Sequence, residues 1–210
     1  MTPIIVPTDP VVHAYASLAE VKDTLELTGE TFADPDIERA LASASSGIDK
    51  LTERRFWLDA DTSRVRYYTP DDPGVLRVDD LAVLTSLASS PAGAAFTTAW
   101  VENTDFVLEP LNASADDEPW TTVRVHPSSG RALPCVPRSV KVTGQFGWPA
   151  LPPGVKDATI ILTSKLVRRV REAPFGVIML GADVAMRIAR SDPDVMFLIG
   201  PYMRYPVAIA

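Results

Sequence analysis

Residues 34–51, DPDIERALASASSGIDKL, predict a helix, and this helix belongs to the helical part of the fold. Asp34 is a favoured N-cap residue, and Pro35 suits the first helical position because its missing N–H would have no intrahelical partner there. Spacings of four and three residues separate the apolar positions Ile37, Leu41, Ala44, Ile48 and Leu51. This pattern predicts a helix over 35–56 that packs along one side. The small residues at 42–47 would let a second helix approach closely.

Two further helices are predicted on either side of a β-type region. Ser17 and Glu20 have the spacing of a capping box, and Gly29 is placed to end the helix that follows, over 17–29. A third helical period runs through Val155, Ala158, Leu162 and Leu166, and Pro174 disfavours helix in the residue before it. These two patterns predict helices over 17–29 and 154–172.

The region at about 64–148 has short β-type runs broken by Pro, Gly, Asn and Asp. Val140 and Val142 alternate with Lys141 and Thr143, which is typical of a half-buried strand. The predicted strands are 65–69, 75–78, 83–87, 106–109, 123–125 and 139–146. The sequence therefore predicts an α+β fold, in which a helical bundle frame carries a small antiparallel β-sheet inserted between its second and third helices.

Both ends of the chain are predicted to extend from a single domain at 17–172. Residues 1–16 are rich in proline and β-branched side chains, which indicates an extended N-terminal arm. In the C-terminal region, 173–210, the apolar runs 177–180 and 184–188 around Gly181 predict a hairpin. Asp192 and Pro193 then predict a short helix, and an aromatic docking tail closes the chain.

Charge and composition exclude several classes of protein. Lys and Arg total 20 against 27 Asp and Glu, a net charge of −7, so the average field repels nucleic-acid phosphates and sequence-specific DNA binding is not expected. No apolar run approaches the roughly 18 residues that would cross a bilayer. The N-terminus lacks the pattern of a secretory signal, and a disulfide within the chain is excluded because Cys135 is the only cysteine.

The sequence offers little chemistry for catalysis. Neither His13 nor His126 lies in a nucleophile motif, and no Gly-rich nucleotide cradle occurs, so we expect a protein that is not an enzyme and has no cofactor. One alternative is a small metal-dependent enzyme. Its metal ligands would be carboxylates in loops, although adjacent acidic residues more often lie in solvent-exposed turns and bind no metal. The candidates are Asp71, Asp72, Asp116 and Asp117.

Two groups of residues are candidate partner-binding sites. Lys165, Arg168 and Arg169 share one face of the third helix and could pair with acidic groups on a neighbouring subunit or face DNA in a channel. The helix dipole favours cations near a C-terminus in any case, so these residues could equally be a solvated helix end. The tail residues Tyr202, Arg204 and Tyr205 are of the types enriched at interface hot spots.

A series of short stretches resembles the head-to-tail adaptor proteins of tailed bacteriophages, also called head completion or connector proteins. In order, the stretches are LAEVK (18–22), ASASSGID (42–49), TERRF (52–56), VTGQFGW (142–148), PPGVKDA (152–158), RR (168–169), APFG (173–176), DP (192–193) and PYMR (201–204). Each is weak alone, but their order and spacing extend along most of the chain.

The resemblance implies a structural virion protein that forms a homo-oligomeric ring of about twelve copies between the portal protein and the head-tail stopper or tail. The genome would pass through the ring without sequence-specific binding. The protein would be made in the bacterial host cytoplasm and would reside in the virion neck, without contact to a membrane. The resemblance also implies that the C-terminal region, with Tyr202, Arg204 and Tyr205, reaches the portal. A tail-completion protein or another ring component of the neck is the nearest alternative.

Overall fold

A computed structural model describes residues 13–26, 31–172 and 180–204, and within them the chain forms five α-helices and six β-strands. The chain divides into two compact units, one from Met1–Arg54 with Leu151–Ala210 and one from Arg55–Ala150. The first holds all five helices and the second holds the sheet, which confirms the predicted α+β class. Most of the predicted N-terminal arm, Gly29 and nearly all of the first hairpin run lie outside the described residues.

The helical unit contains α1 (Leu18–Glu26), α2 (Asp34–Thr52), α3 (Pro153–Glu172), α4 (Ala182–Ser191) and α5 (Pro193–Ile199). The predicted end of α2 at residue 56 is wrong, because Glu53 takes a left-handed φ of 55° and stops the helix. Its N-cap is Ala33 and not Asp34, whose carboxylate instead lies 2.6 Å from Nζ of Lys22. Within the described ranges, none of these helices is both long enough and apolar enough to span a membrane.

The capping box predicted for α1 is confirmed. The amide of Ser17 donates to Glu20 at 2.8 Å, and the amide of Glu20 donates to Oγ of Ser17 at 3.2 Å. Lys156 on α3 also pairs with this carboxylate. Hydrogen bonding from Lys156, followed by that from the Ser17 amide and hydroxyl, lowers the pKa of Glu20 to about 2. One carboxylate therefore both begins α1 and ties it to α3.

Helices α2 and α4 pack closely because the residues between them are small, as the sequence predicted for α2. A Cβ added at Gly47 would lie 2.6 Å from Cβ of Ala185, so only glycine fits at this position. Around this contact the helical unit has a core of fully buried apolar side chains. It includes Val21, Leu25, Ile37, Ala44, Ile48, Val155, Leu162, Leu166, Ala189, Val195 and Ile199.

The predicted C-terminal hairpin is wrong for its second run, since residues 184–188 lie inside α4. Ala185 and Ala189 are both buried, and their spacing of four residues matches a helix face and not a strand. The short helix predicted after Asp192 is confirmed as α5. Its N-cap is Asp192, whose carboxylate accepts from the amides of Asp194 at 3.1 Å and Val195 at 3.4 Å.

The β unit contains β1 (Arg64–Tyr68), β2 (Val75–Ser89), β3 (Thr98–Trp100), β4 (Phe106–Glu109), β5 (Trp120–Val125) and β6 (Val140–Phe146). The strands form one antiparallel sheet in the order β1-β6-β2-β5-β4, and β3 also pairs with β2. The separate strands predicted at 75–78 and 83–87 are one strand of 15 residues with irregular register near Leu81 and Val83. The short β3 was not predicted.

One face of the sheet forms the core of the β unit. On β6, Val140, Val142 and Phe146 are fully buried and alternate with half-buried residues, which confirms the period-two prediction. Their neighbours in the core come from every strand of the sheet except β1. They are Leu76, Val78, Leu81, Leu87, Trp100, Phe106, Leu108, Val123 and Val125, together with Leu133 from a loop.

Candidate interaction surfaces

The predicted cationic residues of α3 line a shallow depression of about 440 Å³ on the helical unit. Lys165, Arg168 and Arg169 form its basic wall, and Glu172 and Ile188 complete it. The structure thus brings all three predicted cations to one place. Arg169 is exposed and forms no ion pair with any residue in the described ranges, whereas Arg168 is half-buried. We name this surface the α3 depression.

Lys165 is paired within the helical unit. Its ammonium pairs with Asp192, whose side chain is only 4% exposed. Burial by itself would raise the pKa of Asp192, but hydrogen bonds from Lys165 and from the amides of Val195 and Asp194 together hold that pKa below its ordinary value. Lys165 therefore stabilises the start of α5, and Arg169 is the exposed cation of the α3 depression.

The predicted tail folds back onto the helical unit as far as Arg204. The amide of Arg204 donates to the carbonyl of Thr52 at 3.0 Å. Tyr202 is half-buried, and a Cβ added at Gly154 would lie 3.6 Å from Cε2 of its ring. Both residues therefore contact the helical unit, and their role in partner binding stays a prediction. Tyr205 lies outside the described residues.

Sequence reasoning missed Phe197, whose side chain is 83% exposed. On α5, Val195 and Ile199 are buried and lie four residues apart, so the residue midway between them points away from the core. That spacing was visible in the sequence and could have identified Phe197. A large exposed aromatic ring is a favoured anchor for a partner protein.

The loop carboxylates of the metal-enzyme alternative do not form a common site. Asp71, Asp72, Asp116 and Asp117 are all exposed, and Oδ1 of Asp72 accepts from the amide of Gly74 at 2.6 Å as a local turn contact. Across the described part of the chain, no three His, Cys, Asp or Glu side chains gather in a geometry that could hold a metal ion.

Comparison with protein-family models and with curated proteins gives no match. Among solved structures, a chain in the neck of a native gene transfer agent (GTA) particle, computed with C12 symmetry, is 19% identical with a TM-score of 0.50. The similarity covers 100% of this chain and 99% of that one. This chain has the fold of a gene transfer agent neck chain. The fold implied by the resemblance is confirmed.

A second similar chain comes from the neck of an empty GTA particle computed with C6 symmetry. It is 19% identical, with a TM-score of 0.49, and the similarity covers 92% of this chain and 91% of that one. A chain from the virion of the native particle is 20% identical, with a TM-score of 0.46 and the same two coverages.

Proposed function

We propose that this protein is a non-enzymatic structural subunit of the neck of a tailed phage or phage-like particle, and that it acts there as the head-to-tail adaptor. The observation that carries the proposal is the fold shared with a gene transfer agent neck chain over the full length of both chains. The ordered adaptor-like stretches in the sequence support the more specific adaptor role.

In this role the protein forms a ring of twelve copies between the portal and the tail-proximal stopper. The C12 symmetry of the neck that contains the similar chain supports this number. The genome passes through the lumen of the ring. The net charge of −7 suits such a lumen, because each phosphate that a protein neutralises adds affinity that would slow the passage of DNA.

The contacts with the portal and with neighbouring copies are assigned to the α3 depression and to the C-terminal region. The exposed Arg169, with Arg168 beside it in the α3 depression, supplies positive charge, and Phe197 supplies an exposed aromatic anchor. Tyr205 follows Arg204 in the sequence and is the third candidate contact. Tyr202 and Arg204 contribute by anchoring the start of the tail on the helical unit. Lys165 contributes by holding α5 in place.

The adaptor role is tested by mixing the purified protein with purified portal assemblies and imaging the product by negative-stain electron microscopy. We expect a stoichiometric ring at the narrow end of the portal. A ring that forms only with a tail component would instead assign the protein to another layer of the neck. A protein that joins neither component would contradict a neck function.

Reversing the charge of the α3 depression should impair assembly and not folding. The double variant Arg168→Glu, Arg169→Glu places two acidic groups where acidic partner groups are expected, and we expect portal affinity to fall by about tenfold or more. For Arg169→Glu alone, the free energy of unfolding should change by less than about 1 kcal/mol, because exposed charges contribute little to stability. This single variant should also bind portal more weakly, so a loss of affinity is separated from any loss of fold caused by the half-buried Arg168. The matched control is Arg39→Glu with Arg77→Glu, two exposed arginines elsewhere. Equal portal binding by the two double variants would remove the α3 depression from the interface.

Truncation after Arg204 tests the tail separately. This change keeps the hydrogen bond between Arg204 and Thr52, so the melting temperature should stay within a few degrees of the full-length value. Portal binding should be lost, because Tyr205 and the residues after it are absent. Retained binding, measured by co-sedimentation with portal rings, would show that residues 205–210 are not the anchor and would direct attention to Phe197.

A further inference from the structure

The edge of the sheet formed by β1 is open. Among the described residues, β1 pairs only with β6, and its other side makes no backbone hydrogen bond. Val65 and Tyr67 on this strand are 40% and 43% exposed, and the guanidinium of Arg138 lies 4.0 Å from the centroid of the Tyr67 ring. An open edge with exposed apolar side chains is a template for pairing with another chain unless something covers it.

The same edge carries excess positive charge. Three arginines surround the carboxylate of Asp59, which is 1% exposed: Arg64 at 3.2 Å, Arg66 at 3.8 Å and Arg55 at 3.9 Å. Arg66 has a second acidic partner, Asp79, at 2.5 Å. Arg64 and Arg55 share the single buried carboxylate with it, and their side chains are 48% and 39% exposed. Arg55, Arg64 and Arg66 thus share two carboxylates, Asp59 and Asp79, and Arg138 beside Tyr67 adds a fourth cation, so the edge keeps a net positive charge.

The opposite edge of the sheet carries the opposite charge. The turn at 110–119 follows β4, the last strand in the sheet order, and leads into β5. Asp116, Asp117 and Glu118 in this turn are exposed, and none of them forms an ion pair with a residue that the structure describes. The neighbouring Glu109 is already neutralised by Arg124, whose Nε lies 2.6 Å from it. The acidic turn therefore has unpaired charge available for another molecule.

Strand register places Arg64 and the end of the acidic turn three residues apart along β2. Arg64 lies opposite Gly144 of β6, which lies opposite Leu84 of β2. On the other side, Trp120, at the end of the acidic turn, lies opposite Leu81 of β2. In the sheet order the two edge strands are four strand spacings apart, about 19 Å along a flat sheet.

We infer that the β1 edge of one copy binds the acidic 110–119 turn of the next copy, so that the sheets contact head to tail around the ring. This inference rests on the proposed ring. A contact that uses two different edges of each copy propagates in one direction and closes when the rotation between copies permits, whereas pairing β1 with β1 would form a two-fold dimer. The β1–β1 contact would also bring two arginine clusters together, which like-charge repulsion opposes.

Cross-linking between two single-cysteine variants tests the direction of the contact. In a Cys135→Ser background, Ser63→Cys marks the basic edge and Ala115→Cys marks the acidic turn, and neither change removes a charge. Rings assembled on portals from a mixture of the two variants should give a covalent dimer with a short bismaleimide. Rings made from either variant alone should not. Dimers from Ser63→Cys alone would indicate the β1–β1 contact and overturn the inference.

Charge exchange provides an independent measurement. Asp116→Lys with Glu118→Lys should raise the concentration needed for half-maximal ring assembly by about tenfold or more, because cations then face Arg64 of the next copy. Adding Arg64→Glu to the same chain should recover most of that loss. The control Arg39→Glu changes one exposed charge elsewhere and should leave assembly unchanged, and circular dichroism should show a native fold for all variants.

The outcomes distinguish this inference from the proposed function. Rings of ordinary stoichiometry from the acidic-turn variant, without the mixed cross-link, would overturn the head-to-tail contact and leave the neck function standing. If the unmodified protein forms no ring with portals or tail components, the neck function and the contact both fail.

Discussion

Replacing Gly147 by alanine should unfold the β unit under conditions in which the unmodified protein is stable. Gly147 has a φ of +116°, which L-residues rarely adopt, and an added Cβ would lie 2.1 Å from the carbonyl oxygen of Trp57. The amide of Gly147 also donates to the carbonyl of Asp80 at 2.8 Å, so the chain cannot move away without losing this bond. Backbone strain and a clash with backbone together should cost about 4 kcal/mol.

Tryptophan fluorescence during urea denaturation measures this effect selectively. All four tryptophans, Trp57, Trp100, Trp120 and Trp148, belong to the β unit, so the signal reports on that unit alone. The matched control is Gly130→Ala, which has a φ of +63° but no heavy atom within 4 Å of the added Cβ. Its free energy of unfolding should fall by only about 1 kcal/mol, because alanine is strained in the left-handed backbone conformation. Equal losses for the two variants would mean that the Trp57 contact contributes nothing.

Replacing Asp192 by alanine should destabilise the helical unit by about 2 to 3 kcal/mol. The change removes the N-cap of α5, worth about 1 kcal/mol, and leaves Lys165 without its buried acidic partner. The loss should be smaller than for a fully buried ion pair, because the side chain of Lys165 is 42% exposed and can regain water. Thermal unfolding followed by far-UV circular dichroism measures it. Asp194→Ala, in the same first turn but exposed, should cost less than about 1 kcal/mol.

Acid should remove this difference between the Asp192→Ala variant and the unmodified protein. The folded pKa of Asp192 is held below its unfolded value, so its contribution to stability is fully present above the ordinary aspartate range, near pH 4. The contribution is lost as the pH falls through the folded pKa. The two melting temperatures should therefore converge below about pH 4. A constant difference down to strongly acidic pH would show that the carboxylate charge does not stabilise α5.

Features that depend on chemistry within a few residues were predictable from the sequence. The caps at Ser17 and Asp192 use side chains that reach amides two or three residues away, so both helix starts were correct. The alternation on β6 was equally local. Features that depend on distant partners were missed. The strand β2 looked like two strands because Asp79 and Asp80 interrupt its apolar pattern.

Those two aspartates have partners far away in the sequence. Asp79 is paired with Arg66, and Oδ2 of Asp80 accepts from Nε1 of Trp148 at 3.2 Å. These distant partners allow two adjacent aspartates to lie inside a strand, and no local sequence pattern reveals the partners. The same limit explains why α4 was predicted as part of a hairpin. Its short apolar run fits either a strand or a helix, and only the contact with Gly47 of α2 distinguishes the two.

The candidate surfaces were predicted only in part. The sequence identified the cations of the α3 depression because their spacing of three and four residues is a helix face. It could not show that Lys165 is paired with Asp192 or that Arg204 reaches Thr52, because both contacts require the folded chain. The exposure of Phe197 could have been predicted from the helix periodicity of its neighbours. The charged sheet edges required the order of the strands, which local patterns do not give.

The position of β2 at the centre of the sheet also determines when the sheet can form during synthesis. Its longest pairing is with β6, and the register joins Ser89 to Val140 and Leu81 to Phe146. A ribosome must therefore translate more than fifty further residues after β2 before the central pairing is possible. Until then the apolar face of β2 lacks its main partner and is exposed to aggregation. Slower elongation between β2 and β6 should therefore lower the yield of soluble protein.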